Sequence, residues 1–588
     1  KNAKEQIKRF RHEKNKILST LFHTPDVCEE RQAQILTDKP ESKSPDVYVR
    51  IWLRMLQYTF FMYFFIQAVL KRRRIRESNA VHSSFKNTLV TNTFPSSVNK
   101  DRAINFEMMH SIDDVWGWME VPLLKSLFPG HHYNEQRRTQ KEIDNVIGNN
   151  RLIGGVMLRQ YRSGGQSESG GCASVFPALQ NVEVVRDGGC FLPYSMDHQR
   201  KYVASLGASK AFGDGKAGFV FREGMAYNAF PFWSGTCYYP SDSFSIELPN
   251  DEGIARLSLA RLKESVWIDE STRGIMISFN AFSTNYYSIT SVKLLLEFDP
   301  SGHLKKKAEF KTFWLSFYGQ TGGGDASMGT FLRLADVVMC TYCLLCIYTM
   351  AWEIALHGAD KYLECLWNIT DSAMCIGILA QVVFQIYYDF VISREVDVRV
   401  PHYTHLEKQV AGYDAGVNLS ILNALLACVS SFRLLQRNLP VSKIWQTLGM
   451  IGSLFMSFLF LFVVMLYAFL VVAHFSFGSE VASFSTITRT MNSLMQMMSG
   501  FVQYREIRVA DAVMAPIFYS AFNLAVNFFM SSILFAMVND AYSVTNAHFS
   551  DKNSRFWKHI IISPIELIKA VYTKHRGKAM KVPAKDEE

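Results

Sequence analysis

Charge is scarce in this chain of 588 residues: Asp, Glu, Lys and Arg make up 20%, against 48% hydrophobic residues. That balance leans toward a membrane protein. Several other things are missing. Lys1 is not an initiator Met and no signal peptide follows it, which predicts a piece of a longer protein. Neither Gly213-Asp214-Gly215 nor Gly322-Gly323-Gly324 is followed by Lys-Ser/Thr at phosphate-loop spacing. Cys340, Cys343 and Cys346 share one helix face but lack a companion Cys or His pair. They read as small buried thiols, and no metal or cofactor is expected. With no nucleophile–base motif and no inverted repeat, neither an enzyme nor a secondary transporter is expected. Residues 71–328 hold no Asn-X-Ser/Thr site, and Asn418-Leu419-Ser420 lies too close to an apolar stretch to be used. Glycosylation stays open.

What is present is unevenly placed. The formal net charge is +9, and residues 1–50 carry eleven Lys/Arg while 551–588 carry nine. No nucleic-acid-binding module accompanies these basic ends, so they read as cytosolic flanks of membrane helices. A hydrocarbon core about 30 Å thick needs about 20 apolar residues per helix. Six stretches qualify: 51–70, 331–357, 366–392, 415–435, 444–475 and 515–541. Arg333, Asp336, Glu353, Asp371 and Asp389 lie in or beside them. Such residues face a bundle interior or water, which argues for packed helices rather than single anchors.

Six spans put both termini on one side, the cytosol, and residues 71–328 outside. Lys71-Arg72-Arg73-Arg74 follows the first span against the charge rule, which weakens for long translocated loops. A helix continuing above the membrane accommodates it. Residues 71–328 read as α+β: helical spacing over 106–128, then strand-like runs at Val182–Val185, Ala217–Arg222, Gly274–Phe282 and Ser291–Phe298.

Residues 444–541 have a particular order: long apolar helix, short piece from Phe484 to Phe501, apolar helix. The middle piece is too short and polar to span and ends in Ser499-Gly500, which suits a re-entrant helix leading to a filter. On the last helix Ser520, Asn523, Asn527 and Ser531 fall within about 80° of one another. They line a wet pore or bond neighbouring helices. Asn539 sits about 100° away, and a π-bulge between Ser531 and Asn539 would bring it into line. Arg433 and Arg437 close the fourth helix on one face. They snorkel to the interface or, alternatively, sense voltage.

At these residues the chain resembles the polycystin-2 branch of the transient receptor potential channels. The matching segments are Pro516-Ile517-Phe518-Tyr519 through Ala536-Met537-Val538-Asn539-Asp540-Ala541-Tyr542, Phe484-Ser485-Thr486, and Trp367-Asn368 with Asp371. Before the second span they are Asn150-Arg151-Leu152-Ile153-Gly154, Val266-Trp267-Ile268-Asp269 with Thr272-Arg273, and Leu294–Phe298. The resemblance implies a polytopic α-helical membrane protein: a six-helix, voltage-gated-like channel fold with an inserted α+β extracellular polycystin domain. The division is a basic cytosolic segment (1–50), first helix (51–70), polycystin domain (71–328), sensor-like helices (329–437), pore domain (438–545) and cytosolic end (546–588).

By position, Ser499, Gly500 and Phe501 match the family's Leu-Gly-Asp filter, and Phe535 and Asn539 its inner gate. Where the family has an acid this sequence has Phe501, which puts calcium permeation in doubt and favours monovalent cations. Cys172 and Cys190 are implied as a disulfide, since the family has a bridge nearby; Cys237 is the competing partner. Implied partners are three further subunits, in a homotetramer or a heterotetramer with a related polycystin, the lipid bilayer and an extracellular protein. The implied location is a ciliary, flagellar or plasma membrane, with the endoplasmic reticulum a further candidate. The competing expectation is an extracellular-matrix or partner-anchoring receptor subunit whose own pore conducts poorly.

Overall fold

A computed structural model describes residues 45–97, 100–130, 134, 136, 145–148, 150–164, 191–213, 215–223, 231–318, 326–363, 366–396, 402–435, 439–501 and 504–548. The chain divides into two units. One joins residues 58–363 to 371–427, and the other comprises 1–57, 364–370 and 428–588.

The first unit is built on a seven-stranded sheet. Its strands are β1 (Asn145–Val146), β2 (Asn150–Arg162), β3 (Phe221–Arg222), β4 (Ser243–Leu248), β5 (Thr272–Ser283), β6 (Ser288–Phe298) and β7 (Leu304–Phe313). The order is β7-β6-β5-β2-β4-β3, with β1 beside β2, and every pair is antiparallel. Alternation explains the strands. Ile275, Ile277, Phe279, Val292, Leu294 and Leu296 enter the main core with Val156 and Leu158. The intervening Met276 and Leu295 meet Tyr161, Phe232 and Tyr239 on the other face. Both faces are covered, and on the second face the polar Ser278, Asn280 and Lys293 stand among the apolar residues. The expected strands at 274–282 and 291–298 lie in β5 and β6. Of Ala217–Arg222 only Phe221–Arg222 is a strand, and Val182–Val185 lies outside the described residues.

The helical stretch expected over 106–128 is broken into Phe106–Met108, Ile112–Trp118, a π-turn at Met119–Leu123 and Leu124–Leu127. Ser111 caps Ile112–Trp118, and Asp114 closes the capping box. Burial by itself would raise the Asp114 carboxyl. Bonds from the Ser97 side chain and amide, the His110 amide and Ser111 outweigh it and hold the group well below the usual carboxylate range. Because its folded pKa is depressed, its stabilisation is present above the unfolded value of about 3.9 and is lost as pH falls below that. Replacing Asp114 by Asn is expected to destabilise the protein by about 2 kcal/mol at pH 7. Thermal unfolding of both proteins should show this gap narrowing steadily below about pH 4.

The helix Pro45–Arg73, which contains the first expected span, ends at Arg74, whose φ of 43° breaks it from the helix Ile75–Lys86. Lys71, Arg72 and Arg73 form the last turn of the first of these helices. Arg72 pairs with Asp336 at 2.5 Å, with side chains 4% and 8% exposed. The ion pair offsets two formal charges that would be costly in lipid if each stood alone.

After β7 the chain is fastened to helix ends. The Ser316 hydroxyl donates to the Asp389 carboxylate at 2.6 Å and the Phe317 amide at 2.9 Å. Tyr388 donates to the Trp314 carbonyl at 3.0 Å, and Phe317 stacks on Tyr413. Residues 402–406, ahead of the fourth helix, lie against the sheet: Asn280 donates to the Thr404 carbonyl at 2.7 Å. Lys293 sits 3.1 Å from Glu407, and Arg159 lies 3.4 Å from His405 Nδ1. A Cβ on Gly154 would stand 2.2 Å from the His402 carbonyl oxygen, so this approach requires glycine at the register shift in β2.

Five helices among the described residues are long and apolar enough to cross a membrane: Ser327–Leu356, Trp367–Ile392, Glu407–Arg433, Leu454–Phe477 and Met514–Asn546. The first expected span falls in Pro45–Arg73, an unbroken helix of 29 residues. The helix expected over 415–435 begins earlier, at Glu407.

Candidate pore segment

The second unit contains the helix–short helix–helix stretch. Helix Leu439–Phe477 (helix five) is followed by a tight reversal and the short helix Ile487–Met498. Twelve residues span about 18 Å, well short of the roughly 30 Å hydrocarbon core, so this helix is too short to cross it. Thr486 caps its start by accepting from the Arg489 amide. Its buried residues Thr490, Ser493, Leu494 and Met497 recur at helical spacing and pack one face. That face meets Leu470, Phe477, Phe484, Ile507, Phe518, Phe522 and Val526 in one apolar core.

The far end shows why glycine stands where it does. Gly500 adopts φ 87°. Its amide bonds to the Met497 carbonyl at 3.1 Å, and the Phe501 amide reaches back to Gln496 at 2.9 Å. This pair of bonds around a left-handed residue is the glycine-dependent helix stop. Ser499, Gly500 and Phe501 thereby form a fixed exposed end, with the Phe501 side chain 76% exposed. Asp511 then caps the start of the last helix, accepting from the Val513 and Met514 amides at 2.9 and 2.8 Å. Those two bonds pull its carboxyl below the ordinary value.

The last helix runs through Met514–Phe522, a π-segment at Asn523–Met530 and Ser531–His548. A π-turn is present, but it precedes Ser531 instead of falling between Ser531 and Asn539. The i→i+5 bonding passes through the polar stripe itself, so the 100° spacing from Ser520 to Ser531 does not hold. Asn523 donates to Tyr519 O at 2.9 Å, Asn527 donates to the Asn523 side chain at 2.7 Å, and Ser531 bonds Phe528 O at 3.3 Å. These bonds stay within the helix that carries them. Ser520, Asn527 and Asn539 are exposed, and Phe535 is 73% exposed.

The family described as Polycystin domain matches residues 105–316, and the one described as Polycystin cation channel matches 325–545. Together they take in the whole sheet and the short helix Ile487–Met498. The chain belongs to the polycystin channel family. Polycystin-2 of Danio rerio is 23% identical over 456 residues, covering 76% of this chain and 48% of that protein. Polycystin-2-like protein 1 of Homo sapiens is 22% identical over 448 residues, covering 75% and 52%. Polycystin-2 of Caenorhabditis elegans is 22% identical over 478 residues, covering 81% and 63%. The chain spans about half the length of the first two relatives. It is an integral membrane protein with a polycystin domain ahead of the channel helices.

Arg433 is half-buried, and its guanidinium donates to Asn368 on the third helix at 3.3 Å. Arg437, Cys172 and Cys190 lie outside the described residues. Cys237 is a free thiol 3.6 Å from the Glu297 carboxylate. Among the described residues no three His, Cys, Asp or Glu side chains form a metal site. His474, Thr490 and Asp511, which shape the segment, carry no sequence signal stronger than their position beside an apolar helix.

Proposed function

We propose that this polycystin is a pore-forming subunit of a tetrameric, nonselective cation channel, a homotetramer or a heterotetramer with a related polycystin. Movement of the last helix opens it at Phe535 and Asn539. The observation that carries this reading is the twelve-residue helix whose glycine stop presents Ser499, Gly500 and Phe501 at a fixed end. Backbone carbonyls at such an end can replace part of an ion's water shell. Residues 71–328 then face the extracellular or lumenal side, with both termini in the cytosol. Reconstitution of the purified chain is expected to give particles of four 67.1 kDa subunits and a cation flux into vesicles. Monomeric particles, or sealed vesicles without flux, would count against it.

Topology has its own test. An epitope inserted after Gly302, in the β6–β7 turn, should be labelled on intact cells once the protein reaches the surface. Labelling that needs permeabilisation would place the sheet in the cytosol. The Cys172–Cys190 bridge belongs to the same reading, and finding both thiols free in non-reducing peptide mapping would remove it.

A second reading has one observation in its favour. Phe501 stands exposed where the family's filter carries an acid, which suits a subunit that conducts poorly alone and serves to anchor an extracellular partner. Ciliary, flagellar, plasma-membrane and reticulum locations are separable by imaging a tagged chain.

A further inference from the structure

The turn into the short helix hangs on one carbonyl. Phe484 O lies 2.8 Å from His474 Nδ1, in the last turn of helix five, and 3.0 Å from Thr490 Oγ1. A carbonyl oxygen only accepts, so Nδ1 carries the hydrogen in this bond. One oxygen thus ties the end of helix five to the start of the short helix. Ser493 adds a second tie, donating to the Ser483 carbonyl at 3.0 Å.

Gly478 shows how close the reversal is. A Cβ there would stand 2.3 Å from the His474 carbonyl oxygen and 2.8 Å from Phe484 O. A side chain at 478 leaves no room for both the His474 and Phe484 carbonyls where they stand. Below the turn, Phe484 packs on Phe477 with ring centroids 5.8 Å apart. From Thr486 to Ser499 the backbone is one capped helix, stiff over its length, so a displaced Phe484 moves Ser499, Gly500 and Phe501 with it.

We infer that His474 is a positioning residue for the ion path: its Nδ1–H bond to Phe484 O sets where the short helix holds the Ser499–Phe501 end. This rests on the pore reading above. His474 touches no ion; it acts through the helix.

Asn at 474 can place its amide nitrogen where Nδ1 stands, whereas Phe keeps the ring and removes the donor. In the reconstituted full-length protein, His474→Phe should change the monovalent permeability ratio or the unitary conductance at least twofold at wild-type surface level. His474→Asn should restore both. Gly478→Ala should reproduce the Phe effect with the histidine intact. Backbone hydrogen exchange over 484–490 should be roughly fivefold faster in His474→Phe and return to normal in His474→Asn. Wild-type exchange in the Phe variant overturns the anchoring role. Wild-type permeation in the Phe variant with faster exchange overturns the positioning role. A silent wild type whose exchange follows the predicted pattern refutes the pore reading and keeps the anchor.

Discussion

Replacing Phe535 by Ala or Asn is expected to raise resting cation current on the order of tenfold at equal surface expression, the change that about 1.4 kcal/mol of lost closed-state stabilisation produces. The reasoning begins with exposure. Phe535 is 73% exposed within its own chain, on the helical stretch that follows the π-segment. Four such rings around an axis would close a pore by excluding water, without having to seal it completely. Asn539 lies one turn further along and presents an amide on the same side. A small or polar residue at 535 wets the constriction. Unchanged resting current, with normal amounts of protein at the surface, would mean that the ring packs between helices.

The second large effect concerns ion choice. Phe501→Asp is expected to raise the permeability of calcium relative to sodium on the order of tenfold, read from reversal potentials. The backbone should tolerate the change: the bond that fixes residue 501 uses its amide, and the side chain is 76% exposed. Four carboxylates around a narrow axis attract a divalent ion twice as strongly as a monovalent one, and at short range salt screens them little. The acids already present do not substitute. Glu480 and Glu506 are exposed on either side of the segment, and Asp511 is occupied with the Val513 and Met514 amides. Wild-type current should therefore favour monovalent cations. Equal calcium preference in wild type and variant would contradict the argument.

Much of this architecture is legible in the sequence because it rests on local physics. The apolar lengths define the spans, and the alternation in 272–298 defines the central strands. Gly500 after a twelve-residue amphipathic stretch marks the end of the short helix, because only glycine takes the left-handed turn cheaply. The π-segment is not legible there: it changes hydrogen bonding by one residue per turn and leaves no mark in composition. The junction between sheet and helices was not legible either. Ser316 meets Asp389, and Lys293 meets Glu407, only after the chain has folded. In the sequence Asp389 is one more acid at the edge of an apolar stretch. His474 reads the same way, as a single imidazole at a helix end, until the reversal at Gly478 brings Phe484 O to it.

Unitary recording from the purified chain in a planar bilayer, under a KCl gradient, addresses the central claim most directly. The account predicts discrete openings that reverse near the cation equilibrium potential and become more frequent in Phe535→Ala. Tetrameric protein inserted in the bilayer with no openings in either form, or openings that reverse at the anion potential, would contradict it.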